Sequence, residues 1–375
     1  MRILVLANFG MGLYNFRKEL LEELIKQDNE VYISLPDDEY VPKLEKIGCK
    51  FIDTHLERRG TNPLTDFKLL LNYVGLIKRV KPDVVLTYTI KPNVYGGIAC
   101  SITKTPYITN ITGLGTSIEN NGLIQKITLM LYKLGLRKAS CVFFQNQANR
   151  TFFEDNRIVK SKTRLIPGSG VNLEQHKSEE YPMCDDKVRF LFIGRIMKAK
   201  GIEELFEAAK LVKEKYPHVQ FDLIGGTEEN YNKKLDELER LDLIKYHGRQ
   251  DDVHSFIKKS HATILPSYHE GLANVLLESA SSGRPVLASR VPGCIETYED
   301  GLTGFGFEAM NVDSLVNAII KFVNLPYYEK REMGMAGRRK MENDFDRNIV
   351  INAYLQEINL IINKENYNES IREVS

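Results

Sequence analysis

Residues 188–201 read Val-Arg-Phe-Leu-Phe-Ile-Gly-Arg-Ile-Met-Lys-Ala-Lys-Gly, and this stretch decides the fold class. Val188–Ile193 is short and nearly all apolar, as expected of a strand covered on both faces. Gly194 ends the run, a basic loop follows to Gly201, and from Ile202 to Tyr216 the apolar spacing becomes helical. The same rhythm continues downstream. Strands are expected at Val219–Ile224, Ile244–His247, Ala262–Leu265 and Val286–Ser289, with helices over Asn230–Glu239, Val253–Lys259 and Ala273–Ser282. Upstream, strands are expected at Arg2–Ala7, Glu30–Leu35, Lys50–Thr54, Asp83–Tyr88, Tyr107–Asn110, Cys141–Gln145 and Thr163–Ile166. Asn15–Gln27 is a helix with Leu20, Leu21, Leu24 and Ile25 on one side. Short buried strands alternating with helices mean parallel sheets of α/β class, here two Rossmann-like domains in tandem.

The rhythm breaks at Pro167–Asp186, which carries PGSG, a polar run and Pro182, and reads as a linker. The expected division is an N-terminal domain at 1–167, a linker at 168–186 and a second domain at 187–345. A terminal helix follows at 346–365 and a polar, frayed tail at 366–375. The tail is otherwise helical: Val312–Val323, Tyr327–Asn343 and Arg347–Ile362. Open parallel sheets bind ligands outside the carboxyl ends of their strands, so two such sheets are expected to face one another across a cleft.

A chain of 375 residues is long enough for two domains. With 43% apolar and 27% charged residues it is neither collagen-like nor disordered. Its net charge of +1 argues against nucleic acid as a partner. That total hides a split: residues 1–170 hold 24 basic and 16 acidic residues, and the remainder 27 against 34. Opposite signs suggest different partners for the two halves. Cys49, Cys100, Cys141, Cys184 and Cys294 are scattered, without a disulfide framework or metal spacing. With no leader and no run of eighteen apolar residues, the chain reads as soluble and cytoplasmic.

The strongest constellation is Pro266-Ser267-Tyr268-His269-Glu270-Gly271-Leu272-Ala273-Asn274-Val275-Leu276-Leu277-Glu278. A strand ending at Leu265 delivers Glu270 to a loop, and a helix then begins with amides at Leu272, Ala273 and Asn274 expected free. Such an end stabilises an anion such as a diphosphate. Glu278 lies two turns beyond Glu270, so one carboxylate can meet a sugar hydroxyl and the other a second polyol. The plainer alternative is a capping carboxylate and an exposed helical glutamate. Arg195 and Lys200, between Gly194 and Gly201, stand where cations would neutralise a departing nucleotide diphosphate; the plainer alternative is a basic surface loop. Asp344-Phe345-Asp346 reads as a helix break rather than a magnesium site. His247, His254 and His261 fall on different elements and make no zinc site. No metal or other cofactor is expected.

The series GRIMKAKG, DLIGG, YHGRQDDV, LPSYHEGLANVLLESASSGRPVLAS and EDGLTGFGF, in order across 188–307, resembles family 4 glycosyltransferases, retaining enzymes of the GT-B fold. FRKELLEEL near the start and ERRGTNP at 57–63 are similar to the branch that builds capsules, O-antigens and lipid-linked oligosaccharides, including bacillosamine-linked N-acetylgalactosaminyltransferases. The resemblance implies a nucleotide sugar as donor, with UDP favoured. Glu270 would contact the donor sugar, and Gly271, Leu272, Ala273 and Asn274 the diphosphate. Glu278 would hold the ribose, and Arg195 and Lys200 the leaving group. Gly225, Gly226 and the segment Gly248-Arg249-Gln250 would border the base. Gly12, in an Asn8–Gly12 loop, would approach the phosphates. The final helix would return to the first domain. Relatives place a histidine near the end of a middle strand of that domain. Here Tyr88-Thr89-Ile90-Lys91-Pro92-Asn93 and Asn110-Ile111-Thr112 carry none, leaving Thr89 or Thr112 to supply a hydroxyl and Lys91 a charge.

Leu123–Lys138 reads LIQKITLMLYKLGLRK, with four basic residues, no acidic one and eight Leu, Ile or Met. Lys126, Lys133 and Arg137 share a narrow helical arc, so the helix is expected to dock on an anionic inner-membrane surface; the alternative is an ordinary covering helix. Arg59 is the choice for the diphosphate of a lipid-linked saccharide acceptor. A peripheral enzyme on the cytoplasmic face of the membrane, working in capsule or other surface-polysaccharide biosynthesis, is thus expected. A nonhydrolysing sugar-nucleotide 2-epimerase and a non-catalytic sugar-nucleotide-binding subunit stay open as alternatives.

Overall fold

The computed structural model describes residues 1–56, 62–113, 122–183 and 187–374. Arg59 and Cys184 lie outside them. The chain divides into two compact units, Met1–Ser169 with Asn348–Ser375, and Gly170–Arg347. The division falls between Ser169 and Gly170, and the described residues that follow in the expected linker belong to the second unit.

The first unit has seven strands: β1 (Arg2–Leu6), β2 (Glu30–Leu35), β3 (Lys50–Asp53), β4 (Val84–Tyr88), β5 (Tyr107–Ile111), β6 (Cys141–Phe144) and β7 (Thr163–Leu165). All pair in parallel, in the order β3-β2-β1-β4-β5-β6-β7. Helices α1 (Gly10–Lys26), α2 (Val41–Lys46), α3 (Pro63–Val80), α4 (Gly97–Thr103), α5 (Leu123–Gly135) and α6 (Gln147–Asp155) connect them, with a π-turn at Pro92–Gly96 leading into α4. Alternate strand residues feed two cores. Leu20, Leu24, Leu86 and Phe143 belong to one, and Leu76, Val85, Tyr132 and Phe144 to the other.

The terminal helix completes the first of these cores. It runs over Arg347–Val374, past the Ile362 at which the sequence reading ended it, because no proline or glycine interrupts the polar continuation. Val350, Ile351, Tyr354, Ile358 and Ile361 pack into the core. Glu357, buried on the same helix, takes Lys162 at 2.7 Å and Arg164 at 3.2 Å.

The second unit holds β8 (Val188–Ile193), β9 (Val219–Ile224), β10 (Lys245–Tyr246), β11 (Ala262–Leu265), β12 (Val286–Ser289) and β13 (Gly304–Phe307), parallel in the order β10-β9-β8-β11-β12-β13. Its helices are α7 (Ile202–Lys215), α8 (Asn232–Arg240), α9 (His254–Lys259), α10 (Asn274–Ser281), α11 (Val312–Val323) and α12 (Tyr327–Asp344); the terminal helix is α13. Sequence reasoning missed β13, because Gly304-Phe305-Gly306-Phe307 lacks a β-branched run. Asp344-Phe345-Asp346 spans the break between α12 and α13. Winding reverses once in each sheet, between β1 and β4 and between β8 and β11. The crevice outside the carboxyl ends at such a reversal is where open α/β sheets hold ligands.

Arg284 shows how this unit secures the chain that enters it. Its guanidinium is fully buried and donates to the carbonyls of Ile257, Lys258, Glu179, Glu180, Ser282 and Gly283 at 2.7–3.3 Å. Burial pulls its pKa down to about 10, so it stays charged at neutral pH. Arg284→Met would strand those carbonyls without donors. We expect a loss of about 3–5 kcal/mol in urea unfolding, as when one partner of a buried charged network is removed; a change under about 1 kcal/mol would contradict the staple role.

Candidate active site

The reversal in the second sheet gathers residues far apart in the chain. The segment 194–201 leaves β8 and enters α7, while 266–273 leaves β11 and enters α10. These loops touch because Gly201 has no side chain: its φ is +67°, and a Cβ there would stand 2.0 Å from the carbonyl oxygen of Pro266. Gly225, at φ +146°, would likewise drive a Cβ to 1.8 Å from the Gly194 oxygen. Tyr268 N–H donates to Ala199 O at 3.0 Å and ties the loops side by side.

Within that junction Lys200 Nζ forms an ion pair with Glu270 Oε1, which also accepts from Ser267 Oγ at 2.7 Å. The two charged side chains are 19% and 14% exposed, so the pair is screened little by water. Arg195, half exposed, reaches Glu228 at 2.8 Å. The structure thus brings Lys200 and Glu270 into contact. Ser267 and Glu228 were not singled out from the sequence. Ser267 was visible three residues before Glu270, whereas nothing local marked Glu228.

The start of α10 differs from expectation. The helix begins at Asn274, and the amide of Ala273, expected to be free, donates to Gly293 O at 2.8 Å. The chain after β12 has taken that donor. Asn274 Oδ1 is buried without a hydrogen-bond partner among the described residues. Leu272 is buried, and Gly271 is partly covered. Glu278, partly covered on the same helix, has its carboxyl pushed up to about 7 by burial, with Arg347 pulling the other way.

Next to this junction, Gly225 N–H donates to Gly248 O at 2.9 Å and Tyr246 OH to Gly225 O at 2.7 Å. Gly226 faces open space, with no atom within 4 Å of where a side chain would start, and Arg249 is exposed. His247 pairs with Asp222 at 2.7 Å, His254 with Glu179 at 3.0 Å, and His261 accepts from the Arg189 amide. The three histidines therefore serve three separate contacts.

The first unit corrects several expectations. Gly12 lies in the first turn of α1 rather than in a loop, packed on the Phe9 ring. The N-terminus of that helix holds the chain's own anion: Gly10 N–H donates to Asp38 Oδ2 at 2.6 Å. Lys91 is committed to Asp66 at 2.7 Å, with Tyr95 OH on the other carboxylate oxygen at 2.9 Å. Thr112 follows β5 and is exposed. Thr89, a β-branched residue at φ +70°, sits in a sterically disfavoured region and donates its hydroxyl to Tyr88 O.

Lys126, Lys133 and Arg137 are exposed on or just after α5. Beside them Ile124, Ile127, Met130 and Leu134 are 46–62% exposed. On α3, Leu64, Phe67 and Leu71 are more than half exposed, a stripe the sequence reading passed over. Among the described residues no helix is long and apolar enough to cross a membrane.

The family model "Glycosyl transferases group 1" matches residues 174–340, and "Glycosyl transferase 4-like" matches residues 2–146. The chain is 27% identical to N,N'-diacetylbacillosaminyl-diphospho-undecaprenol alpha-1,3-N-acetylgalactosaminyltransferase of Campylobacter jejuni, over 95% of this chain and 98% of that one. It is 26% identical to the capsular polysaccharide biosynthesis glycosyltransferase CapM of Staphylococcus aureus, over 88% and 90%. Anabaena HepE, crystallised with UDP and glucose, superposes with a TM-score of 0.77 at 21% identity, over 95% and 98%, which establishes the shared GT-B fold.

The raised Glu278 pKa has a testable sign. A carboxyl whose folded pKa exceeds its unfolded value of 4.5 favours the fold below pH 4.5, and that contribution is lost as pH rises through 7. Glu278→Gln should therefore leave thermal stability unchanged near pH 4.5 and raise it at pH 8, by up to about 3 kcal/mol. Equal effects at both pH values would show that burial does not set this group's charge.

Proposed function

We propose that this chain, which belongs to the glycosyltransferases those family models describe, moves a sugar with retention from a nucleotide diphosphate sugar to a polyprenyl-diphosphate-linked saccharide in capsular or other surface-polysaccharide assembly. The observation that carries the reading is the contact of Lys200, Ser267 and Glu270 at the winding reversal of the second sheet, with Arg195 on the same loop as Lys200 and Glu278 on the adjoining helix. Such a group suits a ligand with an anionic centre flanked by hydroxyl-rich ends. The C. jejuni relative's name specifies an undecaprenyl-diphosphate-linked acceptor, and HepE binds UDP and glucose; both support the two substrate classes.

In the proposed reaction the bond between the anomeric carbon and the diphosphate oxygen breaks as the acceptor oxygen bonds to that carbon on the same face. The acceptor's proton passes to a phosphate oxygen. Charge grows on the diphosphate, and Arg195 and Lys200 stabilise it there. Lys200 must then exchange its Glu270 contact for phosphate. Glu270, so released, accepts hydrogen bonds from the donor sugar, and the partner exchange couples donor arrival to site assembly. The ribose diol would donate to Glu278 and favour its ionised form. Gly225, Gly226 and Arg249 would border the base, with a uracil nucleotide favoured. No metal is assigned a role.

Glu270→Ala or Arg195→Ala should each lower turnover at least about tenfold, measured by mass spectrometry of the lipid-linked product. Unchanged rates in both would remove the site assignment. An altered nucleotide sugar formed without acceptor would instead identify an epimerase.

The exposed stripes of α3 and α5, with Lys126, Lys133 and Arg137, are proposed to rest on an anionic bilayer, and Thr112 and Arg59 to serve the acceptor. In flotation assays the protein should rise with vesicles containing anionic lipid. Changing the three cations together to Glu should abolish this. Binding that is absent, or indifferent to the changes, would end the docking proposal.

A further inference from the structure

The FRKELLEEL stretch of α1 holds a residue with no part in the reaction above. Arg17 is 3% exposed. Its Nη1 donates to the carbonyl of Phe16 at 2.7 Å, Nε has no partner, and no carboxylate pairs with it among the described residues. The guanidinium lies 5.1 Å from the Tyr88 ring centre and 6.0 Å from that of Tyr354. A buried charge is normally paired or fully hydrogen-bonded, because removing it from water is costly. Arg284 shows how this chain treats an arginine that serves only the fold, with six carbonyls around one guanidinium. Arg17 has one.

Its position adds a second argument. α1 follows β1, and Tyr88 ends β4, the two strands between which the winding of the first sheet reverses. Leu6 stands opposite Thr87, so the chain leaves the two strands side by side at Ala7-Asn8 and Tyr88-Thr89. There Asn8 Oδ1 is buried without a partner among the described residues, and the buried Tyr88 hydroxyl faces the Arg17 guanidinium and the Tyr354 phenol. A guanidinium fork and a phenol are donors that together suit an oxyanion. The N-terminus of α1 is already occupied by Asp38, so it does not supply the site.

We propose that Arg17, with the Tyr88 hydroxyl, binds a phosphate oxyanion at the winding reversal of the first unit, and that this phosphate belongs to the diphosphate of the lipid-linked acceptor. The assignment to the acceptor rests on the proposed function; the oxyanion site itself does not.

Two measurements on the full chain test it. With UDP saturating, inorganic pyrophosphate should raise the melting temperature of the wild type by about 3 °C or more, and this shift should vanish in Arg17→Met. In initial-rate assays Arg17→Met should raise the acceptor KM at least tenfold and leave the donor KM within twofold. A rise confined to the donor KM would overturn the assignment to the acceptor. A pyrophosphate shift and both KM values unchanged in Arg17→Met would overturn the proposal. So would failure of that variant to fold, since removing an unpaired buried charge should not cost the fold. If the wild type turns over no lipid-linked acceptor, the proposed function fails while the pyrophosphate measurement still decides the site.

Discussion

Lys200 and Glu270 meet only because the backbones that carry them touch. The contact at Gly201 leaves no room for a side chain beside Pro266 O, so the loops after β8 and β11 are fused into one surface. A methyl group at that point would separate two charged residues seventy positions apart in sequence. The parallel sheet supplies the rest of the geometry. Adjacent strands on either side of the reversal send their connections to opposite faces, and the crevice between them opens at the strand ends. The proposed site in this unit depends on that close approach more than on any single side chain.

The charge economy of the molecule follows from the same logic. Exposed pairs such as Arg290–Asp300 are weakly stabilising at best. Covered groups are treated in two ways. Arg284 and Glu357 are supplied with partners and hold the chain in place. Arg17 Nε is left without one among the described residues, and burial raises the Glu278 carboxyl. Incomplete satisfaction inside a folded domain costs stability.

Much of the fold was legible because alternating strand and helix periods are local properties of sequence. β8 and its loop were readable from five apolar residues and two glycines, and α11 was placed to the residue. β13 was not, since Gly304 is dictated by Val286 of the neighbouring strand and Gly306 by the side chains of Tyr298 and Arg290. The site was legible as a set of residue types but not as a network. That Ala273 spends its amide on Gly293, that Lys91 is held by Asp66 and that Asp38 caps α1 are contacts between segments distant in the chain. Periodicity does not record them. Nor did it record that Arg17 lacks a counter-ion among the described residues, which only the packed neighbourhood reveals.

The central claim is that the nucleotide diphosphate binds where Lys200 meets Glu270, with Arg195 on the same loop. A crystal structure with UDP bound tests it most directly. The account predicts the diphosphate within hydrogen-bonding distance of Arg195 and Lys200, the Lys200–Glu270 contact opened, and the ribose hydroxyls on Glu278. A nucleotide bound elsewhere, with Lys200 still paired to Glu270, would contradict it.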